Sequence, residues 1–348
     1  MARLRRADVS TPGITRKRVG KGFAYYDNGV KVDEPEVLAR IRELGIPPAW
    51  SDVWICPFPN GHIQATGIDA AGRKQYRYHE AWRTRRDAEK FDEMLRFAHA
   101  LPKLRERVEQ DLASTSRLSR ERVLACAVRL LDRGFFRVGT EDYTTSFGLA
   151  TLRKDHVKVQ DDQMIFDFPA KSGVRRVQAV VDPKSTDVVC TLKRRRSGGD
   201  ELLAFKDGGV WRDVRSDDIN AYLKEATGGD FSAKDFRTWN ATVIAALALA
   251  VSGPAQGSKT SRKRAITRAV KETAYYLGNT PAVCRASYID PRIFDAYEGG
   301  LVLDHNVISD ALEAEPGQLP THDPKVLRAV LDLIDERETA PGVMQLAA

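Results

Sequence analysis

The chain has 348 residues, enough for two domains with separate cores, and its 42% hydrophobic and 30% charged residues exclude a disordered protein. It contains no run of 18 apolar residues, which excludes a transmembrane helix, and its basic start is not followed by the apolar segment of a signal peptide. The net charge of +7 at pH 7 favours a polyanionic partner but is also compatible with a well-solvated basic surface.

Residues 1–82 are predicted to form a β-rich domain. Residues 23–32 surround Asn28-Gly29, a pair typical of a two-residue type I′ turn, and therefore predict a β-hairpin. A short helix is predicted over Glu34–Leu44, with Asp33 as its N-cap. Further short strands are expected around Trp54, Ile63 and Tyr76.

Residues 83–348 are predicted to form a larger, mainly helical domain. Charged and apolar residues at helical spacing predict helices on either side of Pro102, over Glu80–Leu101 and Lys103–Leu112. Ser119 then stands before a strongly apolar helix that runs through Leu131 and is its predicted cap.

A small β element follows, and the rest of the chain is mostly helical. Its three strands are predicted over His156–Val159, Gln163–Phe168 and Val174–Val180. Helices are expected from Asp182-Pro183, from Ser232 through Ala250 by a capping-box pattern, and over Ala265–Leu277. The Gly/Ser/Lys-rich stretch Ser252–Lys263 is predicted to be a loop. The fold class is therefore α+β, a small β-rich N-terminal domain followed by a larger helical domain with a small sheet.

The positive charge is concentrated in the first 300 residues. Residues 301–348 contain nine Asp/Glu and three Lys/Arg, a net of −6, so residues 1–300 carry +7 − (−6) = +13. Basic residues cluster near the N-terminus, over Lys193–Arg196 and over Lys259–Arg264. Such a distribution favours a nucleic acid, whose phosphates release counterions when cationic side chains bind them.

The four cysteines predict a reduced, cytosolic protein. Cys56, Cys126, Cys190 and Cys284 form no C-x-x-C pair, and none lies near a histidine at metal-ligand spacing. We therefore expect free thiols, no metal site and a cytoplasmic location.

Four stretches carry the residue types that a side chain needs to exchange a phosphodiester bond. That reaction requires a nucleophile, cationic donors for the two non-bridging oxygens, and an acid for the leaving 5′ oxygen. Arginine suits the oxygens because its planar fork stays charged, and lysine can serve as the acid. The stretches are Gly134–Gly139 with Arg137, Lys171–Gly173, Lys234–Trp239 with Arg237, and Tyr276–Pro281 followed by Tyr288.

Each stretch has an ordinary interpretation when it is taken alone. Arg137 could be a snorkelling side chain at a helix end, and Lys171 an exposed turn residue. Arg237 could belong to an ion pair at a helix start, and Tyr288 could be a packed aromatic. Only their order along the chain argues for a shared site.

In that order the stretches resemble the type IB topoisomerases, specifically the compact poxvirus and bacterial branch. The resemblance spans most of the chain and implies the catalytic fold that these enzymes share with tyrosine recombinases. It implies that Tyr288 is the nucleophile that forms a 3′-phosphotyrosyl bond, that Arg137 and Arg237 hold the scissile phosphate, and that Lys171 is the general acid. Asn279 stands where poxvirus enzymes have histidine; an amide can donate a hydrogen bond there but cannot titrate.

The resemblance also implies a set of DNA contacts and a duplex DNA partner. The residues that match the family's contact positions are Arg73, Gln75, Tyr76, Tyr78 and Tyr143. In poxvirus enzymes, lysines flank the position of Tyr143. This chain has Thr140 and Asp142 in their place, which argues against a poxvirus-like sequence preference.

Two other classes of protein share some of these features. Tyrosine recombinases use the same chemistry, but they usually carry His-x-x-Arg where this chain has Lys234 to Arg237, and an all-helical N-terminal domain. A non-catalytic DNA-binding protein would have the basic surface but would need no ordered Arg, Lys, Arg, Tyr set. Both comparisons favour the topoisomerase.

The resemblance predicts a monomeric, nucleoid-associated isomerase that relaxes supercoils without ATP, metal or another cofactor. A phosphodiester is exchanged for a phosphotyrosyl ester of similar energy, so no external energy source is required. The sequence contains no GxxxxGK[ST] loop and no carboxylate cluster suited to Mg²⁺.

Overall fold

The computed structural model describes residues 3–114, 118–140, 145–160, 163–252, 258–314 and 319–345. Two compact units are present, one ending at Lys90 and one beginning at Phe91. The sequence placed the division after residue 82, which lies in the first turn of a long helix. As predicted, the first unit is dominated by a sheet and the second by helices, so the chain is α+β.

The first unit is built on a six-stranded antiparallel sheet with the order β3-β2-β1-β4-β5-β6. The strands are β1 (Ile14–Val19), β2 (Gly22–Asp27), β3 (Val30–Lys31), β4 (Ser51–Ile55), β5 (Ile63–Ile68) and β6 (Lys74–Tyr78). The predicted hairpin turn is confirmed: Asp27 pairs with Val30, and both Asn28 (φ 46°) and Gly29 (φ 83°) have the positive φ of a type I′ turn.

The only helix that lies wholly in the described part of the first unit is α1 (Pro35–Glu43). Its N-cap is Glu34, so the prediction of Asp33 was wrong. The Asp33 carboxylate instead pairs with Lys31 at 3.2 Å, and Pro35 provides a helical φ at the first turn. One side of the helix, with Ile41 at its centre, packs on the buried face of the sheet.

A 33-residue helix, α2 (Glu80–Leu112), runs from the first unit into the second. The sequence predicted two helices separated at Pro102, but the helix is continuous through this residue. Leu101, Leu104 and Val108 are buried on one face across the proline. Their burial offsets the roughly 3 kcal/mol that an interior proline costs a helix.

The second unit places a small antiparallel sheet beside α3 (Arg120–Gly134). The sheet has the order β7-β8-β9, with β7 (Val157–Gln160), β8 (Gln163–Pro169) and β9 (Arg175–Val181), close to the predicted strands. The predicted cap of α3 is confirmed, because the Ser119 hydroxyl accepts a hydrogen bond from the Arg122 amide. Asp182 likewise caps the helix after the sheet, α4 (Pro183–Lys193), by accepting from Ser185.

The remainder of the second unit is helical apart from two short antiparallel pairs. Its elements are β10 (Ala204–Asp207), β11 (Val210–Asp213), α5 (Ser216–Thr227), α6 (Ala233–Val251), α7 (Lys259–Leu277), α8 (Pro281–Ser287), α9 (Arg292–Glu298), β12 (Leu301–Leu303), α10 (His305–Ala314), α11 (Pro324–Ile334) and β13 (Val343–Gln345). The predicted loop was too long, because Ser258 caps α7 and the helix begins at Lys259. The middle of that loop, residues 253–257, lies outside the described residues.

Helix α6 forms the centre of the larger core. Trp239 and Phe236 are almost completely buried, and Phe97 of α2 packs edge-to-face on Phe236 with ring centres 4.9 Å apart. Because α6 is surrounded by other elements, a polar residue on it is fixed in place by its neighbours. Within the described ranges, no helix combines the length and apolar character needed to cross a membrane.

Candidate active site

A cavity of about 1220 Å³ in the second unit contains every residue that the sequence proposed for catalysis. Its wall is formed by the end of α3, the β8–β9 hairpin, the start of α6 and the α7–α8 connection. The five proposed residues on this wall are Arg137, Lys171, Arg237, Asn279 and Tyr288. A larger cavity of about 1690 Å³ lies beside the β10–β11 hairpin and includes none of them, so volume alone does not identify the site.

Arg137 lies in the extended segment that follows α3. The helix ends at Gly134 and is capped by Phe135, which has a left-handed φ of 52°. The next ring, Phe136, is buried against Phe166 and Phe168 of β8. The Arg137 carbonyl then accepts a hydrogen bond from the Leu149 amide at 2.8 Å. Buried aromatic contacts and main-chain pairing thus fix the backbone on both sides of this arginine.

Glycines allow the Arg137 segment to approach the segment that pairs with it. A Cβ atom on Gly148 would lie 2.4 Å from the Cα of Gly139, a distance that real side chains do not tolerate. This close approach gives a physical reason for glycine at both positions. The Phe147 amide also donates to the Pro169 carbonyl at 2.9 Å, which ties the segment to the end of β8.

Arg237 is in the second turn of α6 and is only 5% exposed. Its guanidinium donates to the Phe135 carbonyl at 2.7 Å and to the Leu277 carbonyl at 2.8 Å. Burial, and then the nearby Arg137 cation, lower the pKa of Arg237 to about 10, so it remains charged at neutral pH. Its Nε–H is buried and has no hydrogen-bond partner among the described residues.

Asn279 occupies the turn that ends α7. Gly278 has a φ of 61°, the left-handed cap that glycine favours, and the Asn279 amide then donates to the Ala274 carbonyl at 3.0 Å. Arg137 donates to the Gly278 carbonyl at 3.2 Å and to the Asn279 side-chain oxygen. The Asn279 Nδ2 atom is buried with no partner in the described part of the chain. It is therefore a donor available to a ligand.

Tyr288 follows α8 directly, and its amide donates to the Cys284 carbonyl at 3.0 Å. Its half-buried ring has its centre 5.2 Å from the guanidinium carbon of Arg237. The backbone after it is held by α6, because the Asp290 amide donates to the Thr242 hydroxyl at 3.1 Å. The tyrosine and the buried arginine are thus positioned by the same helix.

Lys171 lies in the turn between β8 and β9, as the sequence predicted. The turn is closed by a hydrogen bond from the Ala170 amide to the Val174 carbonyl at 2.8 Å. Unlike the arginines, Lys171 is exposed. Lys171 is therefore an exposed cation at the border of the cavity that the arginines line.

The site also contains a residue that the sequence analysis missed, Arg176 of β9. It donates to the Tyr276 carbonyl and, at 2.8 Å, to the Gln178 side chain. Burial, and then Arg237 and Arg137, lower the pKa of Arg176 to about 10. The signal in the sequence was the Arg175-Arg176 pair, since adjacent strand residues point to opposite faces. Both arginines border the cavity, and sequence alone does not show that Arg175 is paired with Asp167 while Arg176 binds a main-chain carbonyl.

Among the predicted DNA contacts, Tyr76 and Tyr78 lie on the exposed face of β6, an edge strand of the first unit. Each is 41% exposed, and their rings stack with centres 5.9 Å apart. Lys74, which the sequence analysis did not single out, lies on the same face with its ammonium 5.9 Å from the Tyr76 ring centre. Two aromatic rings and a cation form a surface suited to nucleic acid.

Two of the other predicted DNA-contact residues bind a carboxylate of the protein itself. Gln75 and Arg73 both bind the Asp69 carboxylate, at 2.9 Å each. They are therefore held by an intramolecular partner in this structure. Tyr143 lies outside the described residues, as does Asp142.

Comparison with known proteins gives matches over most of the chain. Residues 79–298 match the family described as eukaryotic DNA topoisomerase I, catalytic core, and residues 22–69 match bacterial DNA topoisomerase IB, N-terminal domain. The chain is also 33% identical over 299 residues to a protein of Acanthamoeba polyphaga mimivirus named DNA topoisomerase 1B. That alignment covers 82% of this chain and 88% of the viral protein.

Proposed function

This chain belongs to the type IB DNA topoisomerases and is an isomerase, and we propose that it relaxes supercoiled duplex DNA by transient cleavage of one strand through Tyr288. The observation that carries the proposal is the convergence of Arg137, Arg237, Asn279, Lys171 and Tyr288 on one cavity from separate elements. The tyrosine and the basic residues have the types and the proximity that phosphodiester exchange requires.

The proposed reaction exchanges one ester for another. The phenolic oxygen of Tyr288 attacks the scissile phosphorus, its proton leaves to water, and a 3′-phosphotyrosyl bond forms as the bond from phosphorus to the 5′ oxygen breaks. Lys171 gives a proton to that 5′ oxygen and is then reprotonated by solvent. After the free end rotates about the intact strand, attack by the 5′ hydroxyl reverses the steps and restores the strand.

Cations in the cavity stabilise the transition state in this proposal. The reacting phosphate carries one negative charge in the substrate and close to two in the pentavalent transition state, so fixed positive charge acts more strongly on the latter. Arg137 and Arg237 supply that charge. The unpartnered donors Arg237 Nε and Asn279 Nδ2 are available for the non-bridging oxygens. Asn279 acts as a hydrogen-bond donor only, because an amide does not titrate.

The proposed reaction requires neither ATP nor a metal ion. The bond that forms is a phosphodiester like the bond that breaks, so the energy of the cleaved linkage is conserved in the adduct. The arginines and Lys171 provide the charge stabilisation and the proton that a metal ion and its bound water would otherwise provide.

Duplex binding is proposed to involve both units, with the protein acting as a monomer in the cytoplasm. In the first unit Tyr76, Tyr78 and Lys74 provide an exposed aromatic and basic surface. In the second, the cavity takes the scissile phosphate. The +13 charge of residues 1–300, +7 − (−6), supplies the non-specific attraction to the backbone.

Relaxation of a negatively supercoiled plasmid in EDTA, without ATP, tests the proposal. The parent protein should convert the plasmid to a ladder of topoisomers, and Tyr288→Phe should leave it supercoiled. Relaxation of a plasmid that carries no specific site also separates a topoisomerase from a recombinase, which needs its own target sequences. A parent protein that binds the plasmid and leaves its linking number unchanged would refute the proposal.

A further inference from the structure

Three arginines bind the same end of one helix. Each donates a hydrogen bond to a different carbonyl at the C-terminal end of α7: Arg176 to Tyr276, Arg237 to Leu277 and Arg137 to Gly278. The three carbonyls are consecutive and belong to the last two residues of the helix and its capping glycine, where main-chain oxygens have no partner within the helix. The arginines come from β9, from α6 and from the segment after α3, so three separate elements meet at this point.

None of these three arginines lies within 4.0 Å of a carboxylate of the described residues, and their hydrogen-bond acceptors here are neutral. By contrast, Arg175, next to one of them in sequence, forms an ion pair with Asp167 at 2.6 Å. Cations gathered in a partly buried site without an anion repel one another, and the negative end of a helix dipole compensates them only in part. This arrangement leaves the positive charge available for an anionic ligand.

The geometry of Arg176 leaves part of its guanidinium available. Its Nε donates to Gln178 and its Nη2 to the Tyr276 carbonyl. Its Nη1 lies over Gly278, where a Cβ atom would be only 2.3 Å away. Glycine at this position therefore makes room for the guanidinium. The next residue in the chain is Asn279, whose side chain Arg137 contacts.

We propose that Arg176 is a third phosphate-binding arginine of this site, donating from Nη1 to the phosphate that Arg137 and Arg237 hold. The inference rests on the proposed function and assigns to that site one more residue that contacts the substrate. Arg176 is suited to this role because it is charged at neutral pH, its lowered pKa of about 10 still lying well above 7. That lowering arises first from burial and then from Arg237 and Arg137, which is expected of three guanidiniums around one anion site.

The contribution of Arg176 should be larger in the transition state than in the ground state, because the negative charge on the phosphate increases during the reaction. Arg176→Ala should therefore slow cleavage, on the order of 100-fold as for the loss of one charged donor, with a much smaller change in duplex affinity. Arg176→Lys should recover part of the rate, because it keeps the charge and loses the fork.

Single-turnover cleavage of a duplex whose cut strand releases a short 5′ fragment provides the test. Parent, Arg176→Ala, Arg176→Lys and the control Arg175→Ala are compared by rate constant, by duplex Kd and by thermal unfolding. Arg175 is the matched control because it is the adjacent strand residue of the same charge and borders the same cavity, but is exposed and has its charge paired with Asp167. Arg175→Ala should cleave within a few-fold of the parent.

A neutral substrate separates phosphate binding from a purely structural role. A methylphosphonate at the scissile position lacks the charged non-bridging oxygen, so the penalty of Arg176→Ala should shrink at least several-fold on it. An equal penalty on both substrates would overturn the inference, as would an Arg176→Ala rate close to that of Arg175→Ala. If Arg176→Ala does not fold, the cleavage penalty of Arg176→Lys on the charged and on the neutral substrate provides the same test. If the parent protein forms no adduct, the proposed function is overturned and this inference with it. If the parent cleaves and Arg176→Ala cleaves equally fast, only this inference is overturned.

Discussion

The guanidinium carbon of Arg237 lies 5.2 Å from the centre of the Tyr288 ring. The arginine is 5% exposed and is bound to two main-chain carbonyls, so its position does not depend on DNA. The proposed nucleophile therefore already lies beside a buried cation before a phosphate enters. Preorganisation of this kind lowers the cost of arranging charge during the reaction.

Removal of either arginine that is proposed to hold the phosphate should affect chemistry more than binding. Arg137→Ala and Arg237→Ala should each cost about 3 kcal/mol or more in the transition state, or at least 100-fold in cleavage rate. Duplex affinity should change little, because many other basic residues contribute to it. Arg85→Ala, which removes an exposed α2 arginine paired with Glu89, is the control. Equal losses in rate and affinity would assign Arg137 and Arg237 a structural role.

Lys171→Ala should be rescued by a better leaving group. A substrate with sulfur at the scissile 5′ bridging position needs little protonation as it departs. The variant should be slower than the parent by on the order of 100-fold on the oxygen substrate, and nearly equal to it on the sulfur substrate. Rate constants for the two proteins on the two substrates provide the measurement. If Lys171→Ala is equally impaired on both substrates, Lys171 is not the general acid.

The exposed tyrosines of β6 should contribute to duplex binding rather than to chemistry. The double variant Tyr76→Ala, Tyr78→Ala loses two contacts of about 0.5–1.5 kcal/mol each, so its Kd should rise roughly tenfold. Cleavage at saturating protein should stay near that of the parent. Val30→Ala, at the opposite edge of the same sheet and 71% exposed, is the control and should bind normally. An unchanged Kd in the double variant would remove these residues from the DNA surface.

Stability should depend on Asp132 in a pH-dependent manner. Burial alone would raise the pKa of this carboxyl, but Arg105, which donates to it at 2.9 Å, and His322 hold its pKa well below its ordinary value of 3.8. A depressed carboxyl pKa stabilises the fold above 3.8, and that stability is lost as the pH falls towards the folded-state pKa.

Asp132→Asn should therefore lower the free energy of unfolding by about 3 kcal/mol at pH 7, because it leaves the partly buried Arg105 without its carboxylate partner. Urea unfolding at pH 7 and at pH 3 should show the difference from the parent narrowing at the lower pH. Asp167→Asn, in an exposed ion pair, is the control and should have little effect. A difference that is independent of pH would contradict this account of Asp132.

Local signals in the sequence predicted much of the fold. The Ser119 cap, the helix start at Asp182-Pro183 and the Asn28-Gly29 turn depend on neighbouring residues alone, and the structure confirms them. The continuity of α2 through Pro102 was missed because it depends on tertiary burial of the residues around it. The same limit applies to Asp33, whose carboxylate pairs with Lys31 instead of capping α1.

For the candidate site, residue types, their order along the chain and the resemblance to type IB topoisomerases that this order carries selected five residues that line one cavity. Both Arg175 and Arg176 border the cavity, and the sequence could not show that Arg175 is exposed and paired with Asp167 while Arg176 binds the end of α7. This is why Arg176 was missed. The sequence also could not show that three arginines share the end of α7, since this depends on the packing of three distant elements. Roles in catalysis remain predictions to be tested by the variants above.

The covalent adduct tests the central claim most directly. Parent protein mixed with a duplex and denatured during turnover should carry DNA at a 3′ end, leaving a free 5′ hydroxyl, and peptide mapping should locate the DNA on the segment that contains Tyr288. Tyr288→Phe keeps the ring and its packing and removes only the attacking oxygen. It should fold, bind duplex DNA as tightly as the parent and form no adduct. An adduct that persists in Tyr288→Phe, for instance on the exposed Tyr275 at the same cavity, would contradict the assignment of the nucleophile.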